Sequence, residues 1–163
     1  MCTEMYDISF KKFNSPMATA QENEKKIRAF YKEIWSEGDM EVVDQILAPD
    51  FNFILAFLHV KDRESFKKLV QYNRQIFENL VYHVDDQEGD IVANDKKGAG
   101  CWRMTLKHVG TWRNVPPSNK DVEINGMGFF KFSPEGLITE VRVQNDVIGL
   151  MVQIDGVKYL YNS

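Results

Sequence analysis

Residues 101–132 read CWRMTLKHVGTWRNVPPSNKDVEINGMGFFKF. In the first eight, Trp102, Met104, Leu106 and His108 alternate with Arg103, Thr105 and Lys107. A period of two belongs to a strand with one apolar face and one wet face. Beyond the Gly110 and Pro116–Pro117 punctuation the period returns. Val122, Ile124, Gly126, Gly128, Phe130 and Phe132 share one face, and Glu123 and Lys131 mark the other. Two such segments in succession predict antiparallel strands.

Downstream, LITEVRVQND (residues 137–146) predicts a closing strand and VIGLMVQI (147–154) a short terminal helix. Upstream the period differs. ENEKKIRAFYKEIWSEGD (22–39) spaces Ile27, Phe30, Tyr31, Ile34 and Trp35 as one helical face, and Gly38 with Asp39 supplies a stop. A second helix carries Met40, Val43, Ile46 and Leu47 inward, with a break at Ala48-Pro49-Asp50. FNFILAFLHV (51–60) reads as one largely buried strand. A third helix is predicted over Arg63 to Leu80, and the strand period begins at residue 81. Helices followed by antiparallel strands make an α+β fold, with helices on one sheet face. A curved sheet wrapped around those helices leaves a concave pocket.

The chain has 163 residues, 44% hydrophobic and 27% charged. One domain with a real core fits that size. Residues 1–18 show no sustained period, so the expected division is an N-terminal extension over 1–18, flexible or docked as an edge strand, and a single domain over 19–163. A formal charge of −4 argues against broad nucleic-acid binding. No run approaches the ~18 apolar residues of a membrane span, and the N-terminus lacks a signal-type apolar region. Cys2 and Cys101 are too few for a disulfide framework or a thiolate zinc site. The expectation is a soluble cytoplasmic protein.

Three segments, in order, carry a likeness. IRAFYKEIWSEGDMEVVDQILAPDF holds Trp35, Gly38 and Asp39, then Leu47, Ala48, Pro49, Asp50 and Phe51. WRMTLKHVGTWRNVPPSNKDV holds Trp102, His108, Gly110, Pro116 and Pro117, with Trp112 and Val115 at positions of similar character. GLITEVRVQNDVIGLMVQI holds Asp146, Gly149, Leu150 and Gln153. Together they resemble the SnoaL-like polyketide (ester) cyclase family of the NTF2-like superfamily, over roughly residues 22 to 155.

That resemblance implies an NTF2-like, cystatin-like cone: a curved antiparallel sheet around the N-terminal helices with an internal pocket. It implies cofactor-independent, metal-free cyclase or isomerase chemistry on a hydrophobic, polyketide-like carbonyl compound. Asp146 would be the acid/base, with His108 nearby. It also implies a homodimer through the outer sheet face. Epoxide hydrolysis and a pure interaction module are further alternatives, and a non-catalytic small-molecule-binding domain is the chief one.

Aldol-type closure needs a base beside a carbonyl and a donor for the developing oxyanion. Asp146 fits the base if enclosed by apolar walls, and fits equally an N-cap of the following helix. Arg142 and Gln144 share its strand face; if that face points inward, Arg142 binds an anionic substrate group or pairs with Asp146. His108 polarises a carbonyl or pairs with Asp146, or is a hydrogen-bonded core residue. Trp35, Phe53, Trp102, Met104 and Trp112 are candidate pocket walls, or plain core. Gly126 and Gly128, on the core face, mark a bulge or the close approach of a ligand. Phe53 and Ile54 stand where many members carry asp-his, and Arg142 and Asn145 stand among positions often held by tryptophan. These departures imply a greasier pocket, and either a substrate different from the usual aromatic ester or a protein that keeps the fold and binding without that reaction.

Overall fold

The computed structural model describes residues 19–84 and 90–157. The extension expected over 1–18 lies outside the described residues. Helix α1 (Ala20–Ala29) opens on a capping box, in which Thr19 Oγ1 accepts the Glu22 N–H and Glu22 accepts the Thr19 N–H. The helical face continues beyond it, but as a π-helix over Phe30–Glu37. Gly38 ends it at φ 80°, a left-handed position that suits glycine. The site is crowded as well, since a side chain at Gly38 would meet Arg74, which donates to the carbonyls of Trp35 and Ser36. Asp39 then caps α2 (Met40–Ile46) by accepting the N–H groups of Glu41 and Val42.

Three boundaries differ from expectation. The break falls at Leu47, and Ala48-Pro49-Asp50 belongs to strand β1 (Leu47–Leu55). Proline is tolerated there because pairing with the neighbouring strand is irregular between Leu47 and Asn52. FNFILAFLHV is not one strand either. It folds into a hairpin with β2 (Leu58–Lys61), which leaves Phe57 at the tip, 74% exposed. Helix α3 (Arg63–Ile76) stops four residues early, and β3 (Phe77–His83) follows at once. Phe77 and Leu80 are buried three residues apart because the register shifts between Glu78 and Val81. That irregularity mimics helical spacing.

Strands β4 (Ile91–Ala93), β5 (Lys97–His108), β6 (Asp121–Phe132) and β7 (Ile138–Asn145) complete a seven-stranded sheet, and α4 (Val147–Gln153) follows. The order is β2-β1-β7-β6-β5-β3, with β4 beside β5. The sheet is mixed and not wholly antiparallel: β1 and β7 run parallel. The alternation read in β5 and β6 holds. Trp102, Met104, Leu106 and His108 are buried, as are Val122, Ile124, Phe130 and Phe132.

Aromatic rings fill the space between helices and sheet. Phe30 stacks on Phe66 at 5.6 Å and meets Phe130 edge-on at 5.4 Å. Each fully buried ring contributes roughly 1.5–3 kcal/mol of transfer free energy. The core-face glycines make room for this layer: a side chain at Gly126 would collide with the Trp102 indole, and one at Gly128 with the Tyr31 hydroxyl.

Candidate functional site

A cavity of about 370 Å³ lies between the helices and the sheet. The π-helix contributes Phe30, Tyr31 and Trp35, and α3 contributes Leu69, Tyr72 and Asn73. Phe53 and Leu55 come from β1, Phe77, Leu80 and Tyr82 from β3, and Trp102 and Met104 from β5. Ile124, Val143, Asn145, Val147 and Leu150 close the far wall. Ala56, Phe57 and Leu58 of the hairpin tip, with Trp112 and Arg113, complete the lining. The five aromatic and thioether walls read from the sequence, Trp35, Phe53, Trp102, Met104 and Trp112, all belong to this cavity. π-Helical segments often accompany functional sites, and this one carries three of the lining side chains.

Two buried polar atoms of these lining residues have no hydrogen-bond partner among the described residues: the Tyr31 hydroxyl and the Trp102 indole Nε1. Tyr31 is 1% exposed and Trp102 4%. Burial holds the Tyr31 pKa well above its ordinary value and Tyr82 adds to the rise, while the neighbouring Trp102 side chain works against it. Burial also raises Tyr82. Both phenols therefore stay protonated and can donate. Sequence reasoning placed Tyr31 in the core and missed its hydroxyl. The available signal was a polar tip on an otherwise apolar helical face.

Asp146 is exposed and caps α4, with Oδ1 accepting the Gly149 N–H at 2.7 Å. Its carboxylate does not line the cavity, although its neighbours Asn145 and Val147 do. Arg142 and Gln144 do share its side of the strand, as expected, but that side is exposed. The inner positions go to Val141 and Val143. Arg142 Nε donates to Glu140 Oε1 at 2.7 Å, which raises the arginine pKa and lowers that of the glutamate. Gly126 and Gln144 border a separate open hollow with Cys101 and Met127. The inward placement considered for Arg142 and Gln144 is thereby corrected.

His108 is wholly buried, as its strand face required. The Ser118 backbone N–H donates to Nδ1 at 3.2 Å, so Nδ1 is the acceptor and the proton resides on Nε2. The Ser118 hydroxyl lies 3.1 Å from the same nitrogen. Burial pushes the imidazole pKa below its usual value, offset in part by the Gly110 carbonyl, yet Nε2 makes no hydrogen bond among the described residues. The ring lies 5.8 Å from that of Phe77, which lines the cavity. His108 itself does not line it, and the structure does not pair it with Asp146. Among the described residues no cluster of three or more His, Cys, Asp or Glu could hold a metal ion. No described helix is long and apolar enough to cross a membrane.

The fold recurs in solved structures. A candidate SnoaL-like polyketide cyclase from Jannaschia sp. CCS1 superposes with a TM-score of 0.75 at 20% identity, covering 88% of this chain and 97% of that one. AclR from Streptomyces galilaeus, described as a candidate hydroxylase, gives 0.72 at 18% identity, with 86% and 89% covered. IdmH from Streptomyces antibioticus, a candidate polyketide cyclase, gives 0.67 at 23% identity, with 83% and 99% covered. Likeness at these identities speaks to the fold, and the differing activities named for these neighbours show why it does not choose a reaction. No curated protein matches the chain significantly. The family model for the SnoaL-like polyketide cyclases matches residues 25–154, spanning both the helices and the sheet. The chain belongs to the SnoaL-like polyketide cyclase family.

Proposed function

We propose that the chain is a cofactor-independent cyclase or isomerase acting on a hydrophobic carbonyl compound, held inside a cone that the sheet forms around the helices. The observation that carries this reading is an apolar cavity lined by Tyr31 and Trp102, whose buried donors, Tyr31 O–H and Trp102 Nε1–H, meet no acceptor among the described residues. Buried donors without acceptors cost free energy, and a carbonyl oxygen supplies what both lack. As a proton leaves the adjacent carbon, negative charge builds on that oxygen, and two fixed donors in a dry site stabilise it.

Asp146 is the proposed base, in keeping with its family position. To act, its carboxylate must leave the Gly149 amide and turn toward the cavity that Asn145 and Val147 already line. His108, neutral and held by Ser118, is proposed as the residue that positions the turn leading to Trp112.

A non-catalytic binding domain is the second reading. It is favoured by one observation: among the described residues, the cavity lining contains no carboxylate and no imidazole. The two readings part on proton exchange. With 2-acetylnaphthalene in deuterated buffer, the enzyme reading expects accelerated deuterium incorporation at the methyl group, lost in Asp146→Asn while binding persists. Binding without exchange in the native protein would move the binding-domain reading ahead.

A further inference from the structure

Trp112, Arg113, Asn114 and Val115 form a tight turn, with Trp112 N–H bonded to the Val115 carbonyl at 3.0 Å and Val115 N–H to the Trp112 carbonyl at 2.8 Å. Both central residues are left-handed, Arg113 at φ 49° and Asn114 at φ 65°. Such a turn favours Asn-Gly, and a long side chain in its first central place is held there at a conformational cost. The turn sets the Arg113 guanidinium 5.1 Å from the Trp112 ring centroid and 5.4 Å from that of Phe57. Both rings also line the cavity, and they hold the cation without neutralising it.

Among the described residues, Arg113 is the sole charged residue lining the cavity. It is exposed and has no ion pair among the described residues. An unpaired planar fork over an aromatic chamber presents two chemistries to one molecule. A single guanidinium matches a carboxylate, whereas a phosphate dianion would call for further cations that the described lining does not contain.

We propose that Arg113 makes the cavity selective for amphipathic acids, with the apolar body inside and a carboxylate on the guanidinium at the rim. This rests on the reading that the cavity takes a hydrophobic small molecule, and names the class of that molecule. The anion site is on the turn between β5 and β6, and the outward-facing Arg142 has no part in it.

Calorimetric titration with 2-naphthylacetate and its methyl ester tests this. The native protein should bind the acid roughly five- to tenfold more tightly than the ester. Raised salt should shrink that ratio, because the rim is wet. In Arg113→Gln the ratio should fall to about one with ester affinity retained, and Arg113→Lys should restore part of it. An equal affinity for acid and ester, or a preference that survives Arg113→Gln, overturns the inference while leaving the cavity reading intact. If neither compound binds, the cavity reading falls and this inference falls with it.

Discussion

The rings of Tyr31 and Trp102 lie 6.3 Å apart, centroid to centroid, and each buries a hydrogen-bond donor that meets no acceptor among the described residues. Gly126 and Gly128 create the space for this pair. The Trp102 indole occupies the place of a side chain at Gly126, and the Tyr31 hydroxyl the place of one at Gly128. Glycines at successive same-face positions of β6 thus make room for the two side chains that line the cavity.

Tyr31→Phe separates stability from function. Removing an unsatisfied hydroxyl should leave stability unchanged or raise it by up to about 1–2 kcal/mol, read by chemical denaturation. The same change should lower enolate formation by about a hundredfold or more, read as deuterium exchange, with a smaller effect on substrate affinity. A large loss of stability would show that the hydroxyl has a partner after all.

Asp146 carries a cap and a proposed base, and two substitutions pull them apart. Asparagine caps as well as aspartate, so Asp146→Asn should keep its denaturation midpoint, whereas Asp146→Ala should lose ~1 kcal/mol. Both should lose proton exchange. Full exchange in Asp146→Asn would reduce Asp146 to its capping role.

The buried imidazole of His108 makes stability depend on pH. The unfolded chain takes up a proton on it near the ordinary value of 6.5, and the native chain only at lower pH. The unfolded state therefore binds more protons in that interval. Stability is fully present above about 6.5 and is lost as pH falls through the native pKa. Denaturation curves of the native protein and His108→Gln should converge in slope above that value, with the variant losing less below it. Parallel curves throughout would place the pH dependence elsewhere.

Gly126→Ala forces a methyl group against the Trp102 ring and to 2.6 Å from the Gln144 carbonyl. Destabilisation of about 1–3 kcal/mol is expected, together with a shift of the indole that weakens ligand binding. Unchanged melting and binding would mean that the indole is free to move.

Much of the fold was legible because single-residue alternation leaves little freedom. In β5 and β6, a slip by one residue would turn Trp102 and Ile124 out to water. Gly38-Asp39 was legible as a helix end followed by a cap, since few other residues adopt a left-handed φ at low cost. The end of α3 was not. Phe77 and Leu80 keep helical spacing, and only the strand irregularity around Asn79, at φ 51°, produces it. The hairpin tip was hidden because Phe57 is apolar yet exposed.

In the candidate site, the aromatic walls Trp35, Phe53 and Trp102 were readable from their helix and strand faces. The grouping of Arg142, Gln144 and Asp146 on one side of the closing strand was also readable. Which side faced water depended on Val141 and Val143 taking the inner positions. Tyr31 and Arg113 were missed for different reasons. The first is a polar atom on a core residue, and the second reaches the rim through a turn whose backbone geometry no periodicity announces.

The most direct measurement is the isotope-edited infrared carbonyl stretch of 2-acetylnaphthalene, labelled at its carbonyl carbon and bound to the native protein. If Tyr31 and Trp102 hold the oxygen, the band moves to lower frequency on binding, and the shift shrinks in Tyr31→Phe while the compound remains bound. A bound ketone whose stretch matches that in an apolar solvent would contradict the carbonyl-site reading.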